Sequence, residues 1–371
     1  MPGVVRYWSY EDEYHRHRGE ILGAVDRVFS SGRLILGPEV EAFEREWAAR
    51  VGARFGVGVN SGTDALFLGL RALGVGAGDE VVTVANTAVP TVAALRATGA
   101  LPVFVDVEED TGLLDLERLP EALGPKTRCI VPVHLYGQAV DMEALLALAG
   151  AAGVPVLEDC AQAAGATSGG LQAGSAGALG AFSFYPTKVL GAYGDAGMCV
   201  TSSEELAHAL RRLRFYGMEG GAYVSLEEGF NSRLDEVQAA ILRTKLAGLD
   251  EAASRRRSLA ARYHEALEGV GDLGLPFPRP GRTHQYYVYT VRTGRRDELR
   301  EHLLARGIET RINYPVPIHL MPAYAFLGLG PGALPVTERL AGRILSLPLY
   351  PDLPTSSQDR VVEAIREFFG A

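Results

Sequence analysis

The chain has 371 residues, enough to bury a sizeable core without metals or disulfides. Lys and Arg number 36 and Asp and Glu 45, a net charge of −9 with no long block of one sign, which argues against binding nucleic acid by phosphate neutralisation. Apolar residues at 47% and charged residues at 22% match a globular protein, and the longest apolar stretch, Ala144 to Leu157, is broken by Gly150, Gly153 and Pro155 and falls short of a bilayer span, so no membrane association is expected.

Met1 to Tyr14 carries early charges and no apolar core of a secretory signal, so the expected location is the cytoplasm. Val40, Phe43, Trp47 and Val51 recur at helical spacing and predict an amphipathic helix packed on a sheet. From residue 54 short β-branched runs alternate with helical ones. Strands are predicted at Gly56 to Val59, Glu80 to Val84, Pro102 to Val107, Cys129 to Val133 and Val154 to Leu157, with helices such as Asp64 to Leu73 and Met142 to Ala149 between them. Strand starts roughly 22–27 residues apart, and strands that are nearly all apolar, predict an α/β fold with a mostly parallel sheet covered by helices on both faces. Ala181 to Tyr185 and Gly197 to Thr201 follow a Gly-rich connection and predict a hairpin-like pair in the same sheet.

Beyond Asn231 the pattern changes. Helices are predicted at Leu234 to Gly248 and Glu251 to Glu268, then a strand around Tyr286 to Val291, a helix at Asp297 to Ala305, a strand at Glu309 to Ile312, and helices near 335–346 and 357–368. A boundary near 250 therefore divides the chain into a large unit, 1–250, and a smaller α+β unit, 251–371. Arg255, Arg256 and Arg257 read as a solvated helix face. Cys129, Cys160 and Cys199 have no CxxC or His-spaced partner and read as buried, reduced thiols, and the eight histidines show no metal spacing, so no metal is expected. The glycines Gly74, Gly76 and Gly78 precede a strand, whereas a dinucleotide fingerprint must follow one.

Open α/β sheets bind ligands at the carboxyl ends of their strands, and four segments fall there. Asn60-Ser61-Gly62-Thr63-Asp64 follows a strand and opens a helix, so its free N–H groups suit an anion, although Asn60 or Ser61 would equally cap the helix. In Glu158-Asp159-Cys160-Ala161-Gln162 an apolar strand ends in two carboxylates. A desolvated Asp there needs a hydrogen-bonding or cationic partner, such as a protonated pyridine nitrogen, unless it caps the following helix. In Ser183-Phe184-Tyr185-Pro186-Thr187-Lys188 a lysine stands just beyond an apolar strand among aromatic residues and glycines, a setting that desolvates an amine and suits Schiff-base chemistry. Gly229 to Asp235 is a loop with polar donors that opens a helix.

With Tyr314-Pro315-Val316-Pro317-Ile318-His319 and Leu347-Pro348-Leu349-Tyr350 added, the set resembles the DegT/DnrJ/StrS family of pyridoxal-phosphate (PLP) aminotransferases over nearly the whole chain. The resemblance implies a fold-type-I PLP-dependent transferase that moves an amino group from glutamate to the ketone of a nucleotide-linked deoxysugar. It also implies a homodimer with shared active sites. By position, Lys188 would hold PLP as a Schiff base and shuttle the proton, Asp159 would pair with the pyridine nitrogen, and Gln162 would lie near the 3′-oxygen. Gly62, Thr63 and Ser183 would hold the phosphate, with Asn231 donated by the partner subunit. Tyr193, Arg233, Tyr314 and His319 are the candidates for the sugar pocket.

Ala88 departs from the family, in which many members carry an aromatic ring there that stacks on PLP. His134 or Tyr136 would have to substitute for it. Three further readings share the same resemblance: a keto-cyclitol aminotransferase, a sugar dehydratase, which would carry His in place of Lys188, and a PLP-binding regulator without turnover.

Overall fold

The computed structural model describes residues 3–219 and 223–371. In chain order the strands are β1 (Phe55–Val59), β2 (Glu80–Val84), β3 (Leu101–Val105), β4 (Thr127–Ile130), β5 (Leu157–Asp159), the short pair β6 (Thr167–Ser168) and β7 (Leu171–Gln172), β8 (Leu179–Ser183), β9 (Gly197–Thr201), β10 (Tyr289–Arg292) and β11 (Ile344–Leu347). Strands β3, β2 and β4 form one ladder, all parallel, and β5, β8, β9 and β1 form a second, mixed one. Parallel bridges between Ile130 and Val156 and between Val133 and Asp159 join them, so the order across the sheet is β3-β2-β4-β5-β8-β9-β1. Strand β9 runs antiparallel to both β8 and β1, which makes β8 and β9 the hairpin-like pair expected from the sequence.

Helices cover both faces. The first two are α1 (Glu11–Ser31) and α2 (Pro38–Val51), followed by α3 (Gly62–Ala72) after β1 and α4 (Val89–Ala97) after β2. The predicted stripe Val40, Phe43, Trp47 and Val51 is buried on α2, where Trp47 meets Phe182 and Phe184 of the β8 segment edge-on at 5.2 and 5.1 Å. Residues of opposite parity on β8, Leu179 and Ala181, face the other side and pack with Leu66 and Leu68 of α3. The alternation is what a strand buried on both faces requires.

The chain after 250 builds its own apolar cluster around Tyr263, Leu299 and Val361, with Val5 from the N-terminus added. Strands β10 and β11 pair antiparallel there, Tyr289 opposite Leu347. Several expectations change. Helix α1 was not foreseen, because it buries only a narrow stripe of Ile21, Ala24 and Val28. The segment 309–312 forms no strand and makes isolated bridges, Ile308 to Val5 and Arg311 to Ser346. The helix expected over 335–346 stops at Arg343, and Ile344–Leu347 is strand. Arg256 is not solvated. It is buried, with Nη1 3.3–3.4 Å from the carbonyls of Tyr286, Tyr287 and Leu349, and burial pushes its guanidinium down to about 10. All three cysteines are free and buried, and burial pushes Cys129 and Cys199 up to about 12. Among the described residues no helix is long and apolar enough to cross a membrane.

One carboxylate ties the N-terminal helices to the rest. Glu236, buried at the start of the helix Glu236–Leu246, accepts hydrogen bonds from the amides of Gly37 (2.8 Å), Glu39 (3.0 Å) and Val40 (2.8 Å). It therefore caps α2 from another element, with its negative charge at the positive end of the helix. Glu236→Ala leaves three donors unmet and should cost about 2–4 kcal/mol, seen as a lower midpoint in denaturant. An unchanged midpoint would show that α2 needs no such cap.

Candidate active site

A cavity of about 280 Å³ opens at the carboxyl ends of β1, β5 and β8. Seven residues named from the sequence line it: Gly62, Thr63, Ala88, Asp159, Gln162, Ser183 and Lys188. Ser61, from the segment expected to suit an anion, also lines it, as do Thr87 and Thr91, which were not foreseen as part of a site.

The anion end is built by close approach. Ser61 caps α3 by accepting from the Asp64 amide at 3.1 Å, which leaves the first N–H groups of the helix, at Gly62 and Thr63, beyond the reach of any acceptor within the helix. A Cβ at Gly62 would sit 2.5 Å from Ser183 Cβ, and one at Gly197 would sit 2.2 Å from the Ser61 carbonyl oxygen. Both glycines are needed to bring the end of α3 against β8 and β9. The result is two amides and one hydroxyl around one small space, a cradle suited to a phosphate.

The two carboxylates that end β5 have different environments. Glu158 Oε1 accepts from the amides of Ala176 (2.9 Å) and Gly177 (2.7 Å), and Oε2 from the amide of Gly174 (2.8 Å) and from His134 Nε2 (2.9 Å). The Val140 amide donates to His134 Nδ1 (3.1 Å), so Nε2 carries the proton. Burial alone would raise the Glu158 carboxyl, but His134 and these amides hold it below the ordinary range. His134, Glu158 and Cys160 offer atoms within 4.8 Å of one another, yet both carboxylate oxygens and both ring nitrogens are already engaged, which accounts for the cluster without a metal.

Asp159 is the less satisfied neighbour. Its Oδ1 accepts from the Ala161 amide (3.1 Å) and its Oδ2 from the Thr91 hydroxyl (2.8 Å), which leaves lone pairs facing a cavity. Burial raises its carboxyl, against the opposing pulls of Thr91, the Ala161 amide, Lys188 and His134. A cation on the cavity side is what this carboxylate lacks, and a protonated ring nitrogen is such a cation. Lys188 lines the same cavity, its Nζ 4.7 Å from the centre of the Tyr287 ring, and Tyr287 Oη lies 3.2 Å from the hydroxyl of Thr187. A buried carboxylate, a lysine amine and an amide cradle in one space fit PLP, which Asp159, Lys188 and the Gly62–Thr63–Ser183 group would hold.

Gln162 is held from both ends. Its Oε1 accepts from the Tyr136 amide (2.8 Å), and its Nε2 donates to Tyr314 Oη (3.0 Å). Of the four sugar-pocket candidates, Tyr314 is the one tied to the cavity in this way. The ring of Tyr193 turns into Tyr10 (5.6 Å) and Tyr14 (6.0 Å) of the N-terminal segment. Arg233 lies over Phe215 at 5.4 Å, and His319 is buried against Glu338 at 3.0 Å. Asn231 is exposed and outside the cavity wall. The residues proposed to replace the missing ring at Ala88 do not reach it, since His134 is locked on Glu158 and the Tyr136 hydroxyl donates to the Asn313 carbonyl.

The sequence pattern of the DegT/DnrJ/EryC1/StrS aminotransferase family matches residues 15–366. The chain is 54% identical over 364 residues, 97% of each chain, to the dTDP-3-amino-3,4,6-trideoxy-alpha-D-glucose transaminase of Micromonospora megalomicea subsp. nigra. Among solved structures it is similar to S. venezuelae DesV in complex with a ketimine intermediate, at 47% identity and a TM-score of 0.97 over 100% of this chain and 99% of that one. It is also similar to NtdA of Bacillus subtilis with bound cofactor PMP, at 31% identity and a TM-score of 0.90, covering 96% of this chain and 82% of that one. A methyl group at Gly62 would push α3 off Ser183, and overpacking of this kind should weaken binding of PLP to the cofactor-free Gly62→Ala protein about tenfold. Titration of PLP into that protein checks this, and wild-type affinity would remove Gly62 from the cradle.

Proposed function

The chain belongs to the DegT/DnrJ/EryC1/StrS aminotransferase family, and from that premise we propose that it moves an amino group from glutamate to the C3 ketone of a dTDP-linked deoxysugar, as a cytoplasmic homodimer. It is a PLP-dependent aminotransferase of fold type I that acts on nucleotide-linked keto-sugars. The observation that carries the reading is the meeting of Asp159, Lys188, Ser183 and the N-terminus of α3 in one cavity, within a chain so similar to a transaminase named for a 3-amino sugar. In this reading residues 1–250 bind the cofactor and residues 251–371 close over it, with Tyr314 reaching Gln162.

When bound, PLP supplies an electron sink for the carbon whose C–H bond must break. The chain provides the rest. Asp159, anionic and screened from water, holds the proton on the ring nitrogen. The amides of Gly62 and Thr63 and the Ser183 hydroxyl hold the phosphate. With PLP bound, Lys188 Nζ would take the proton from the donor carbon and pass it to the cofactor's C4′, and would run the same transfer in reverse on the acceptor side, a role that needs an unhindered amine at the cavity wall. Asn231 is assigned to the neighbour's site. The support for this is its exposure on a loop whose next residue, Ser232, bonds the Asn60 amide (3.1 Å) and Asp64 (2.6 Å) at the entrance to α3.

Two measurements test the reading. The holoenzyme should show a visible absorption band of lysine-bound cofactor, and Lys188→Ala should lose both the band and turnover; a turning-over Lys188→Ala protein contradicts it. Assayed with glutamate against dTDP- and UDP-linked 3-keto and 4-keto sugars and a keto-cyclitol, the enzyme should aminate the dTDP-3-keto sugar, with mass spectrometry as the readout. Amination of the 4-keto sugars or the cyclitol alone would move the substrate assignment.

A further inference from the structure

Thr91 and Thr87 form a buried hydroxyl chain that ends on Asp159. The Thr91 hydroxyl donates to Asp159 Oδ2 at 2.8 Å, so its single proton is committed. The Thr87 hydroxyl lies 2.8 Å from Thr91 Oγ1 and must then be the donor in that contact. Thr87 is 2% exposed, Thr91 4% and Asp159 3%. Both threonines sit where β2 gives way to α4, a helix whose start is set by Pro90 and by the Thr91 amide bonding the Ala88 carbonyl at 3.2 Å. The chain thus reaches Asp159 from a different strand, across the joint between the two ladders.

We propose that Thr91, backed by Thr87, is the positioning residue that aims the Asp159 carboxylate at the cofactor's ring nitrogen and keeps it anionic when it is shut off from water. With the Ala161 amide on Oδ1 and Thr91 on Oδ2, each oxygen is pinned by one donor. The carboxylate can then neither rotate nor turn a proton-bearing oxygen toward the ring. Without the hydroxyl, Oδ2 faces an apolar gap, and a buried carboxylate with one donor favours its neutral form. A neutral Asp159 cannot hold the ring proton, so the electron sink weakens. The second hydroxyl matters because a donor that also accepts is polarised and donates more strongly.

The inference rests on the cofactor role given to Asp159 above, and the experiment separates the two. The groups that face Asp159 are Lys188, His134, Tyr314 and Cys160, none of which is altered. In cofactor-free protein labelled with carbon-13 at aspartate carboxyls, the Asp159 signal, identified by its loss in Asp159→Asn, is followed with pH. Thr91→Val should raise the proton affinity of Asp159 about tenfold or more, Thr87→Val should raise it less, and Thr91→Ser should restore it. The rate at which glutamate converts the bound cofactor to its amine form should fall in the same order, with Thr91→Ser rescued. An unmoved Asp159 titration in both valine variants overturns the hydroxyl chain. Equal slowing in Thr91→Val and Thr91→Ser assigns Thr91 to packing and also overturns it. A titration that moves while PLP affinity and the amine-forming rate stay at wild-type values overturns the cofactor role of Asp159 itself.

Discussion

A carboxylate shut away from water at the joint of a sheet is the constraint on which the rest of this structure turns. Asp159 ends β5, and its bridge to Val133 is, among the described residues, one of the two β-bridges between the three-strand and four-strand ladders. An ion there is costly unless each lone pair finds a donor or a cation. The fold meets part of that requirement with Thr91 from one ladder and Ala161 from the other. The remainder is left to the ligand. In the proposed reading binding and folding would be coupled at this point, because the cation that completes the site would also be the group whose chemistry the site serves.

Glu158, one residue earlier, shows what a purely structural carboxylate looks like. Side chains alternate along a strand, so Glu158 faces away from the cavity and is closed by three amides and His134. In the sequence the two acids are an undifferentiated pair. Their separation into scaffold and site depends on which face of β5 each takes and on a loop, Gly174 to Gly177, that folds back far from them in the chain. That loop had read as a Gly-rich connection. Gly174 earns its place because a Cβ there would sit 2.6 Å from the ring of Phe182.

The sheet, its mixed direction at β9 and the stripe on α2 were legible because each is written in local apolar periodicity. So was the set of residues in the cavity, because strand ends converge by topology and motif order locates the strand ends. What escaped was non-local or weakly patterned. Helix α1 carries too few apolar residues to announce itself, and β11 follows a helix without a turn residue between them. Arg256 looks like one of three equivalent arginines until helix rotation buries it beneath three carbonyls. Thr91 was hidden because a threonine in the first turn of a helix is unremarkable until the residue across from it is known. His319 and Tyr193 were named through the family resemblance, which carries no information on contacts within the chain. Their partners, Glu338 and the tyrosines of the N-terminal segment, come from elements the motif does not contain.

The net charge of −9 acquires a local meaning in the cavity. Its charged lining residues are Lys188 against Asp159 and Asp195, so the wall carries one more carboxylate than amine. In the proposed reading Lys188 would be committed to the cofactor's reactive carbon, which leaves no side-chain cation of this wall to hold a dianionic phosphate. Dipoles must do it, which is why α3 is driven so close to Ser183 that Gly62 tolerates no side chain. A chain with a net negative charge can thus offer an anionic group a site built from helix N–H groups, without a paired side-chain cation.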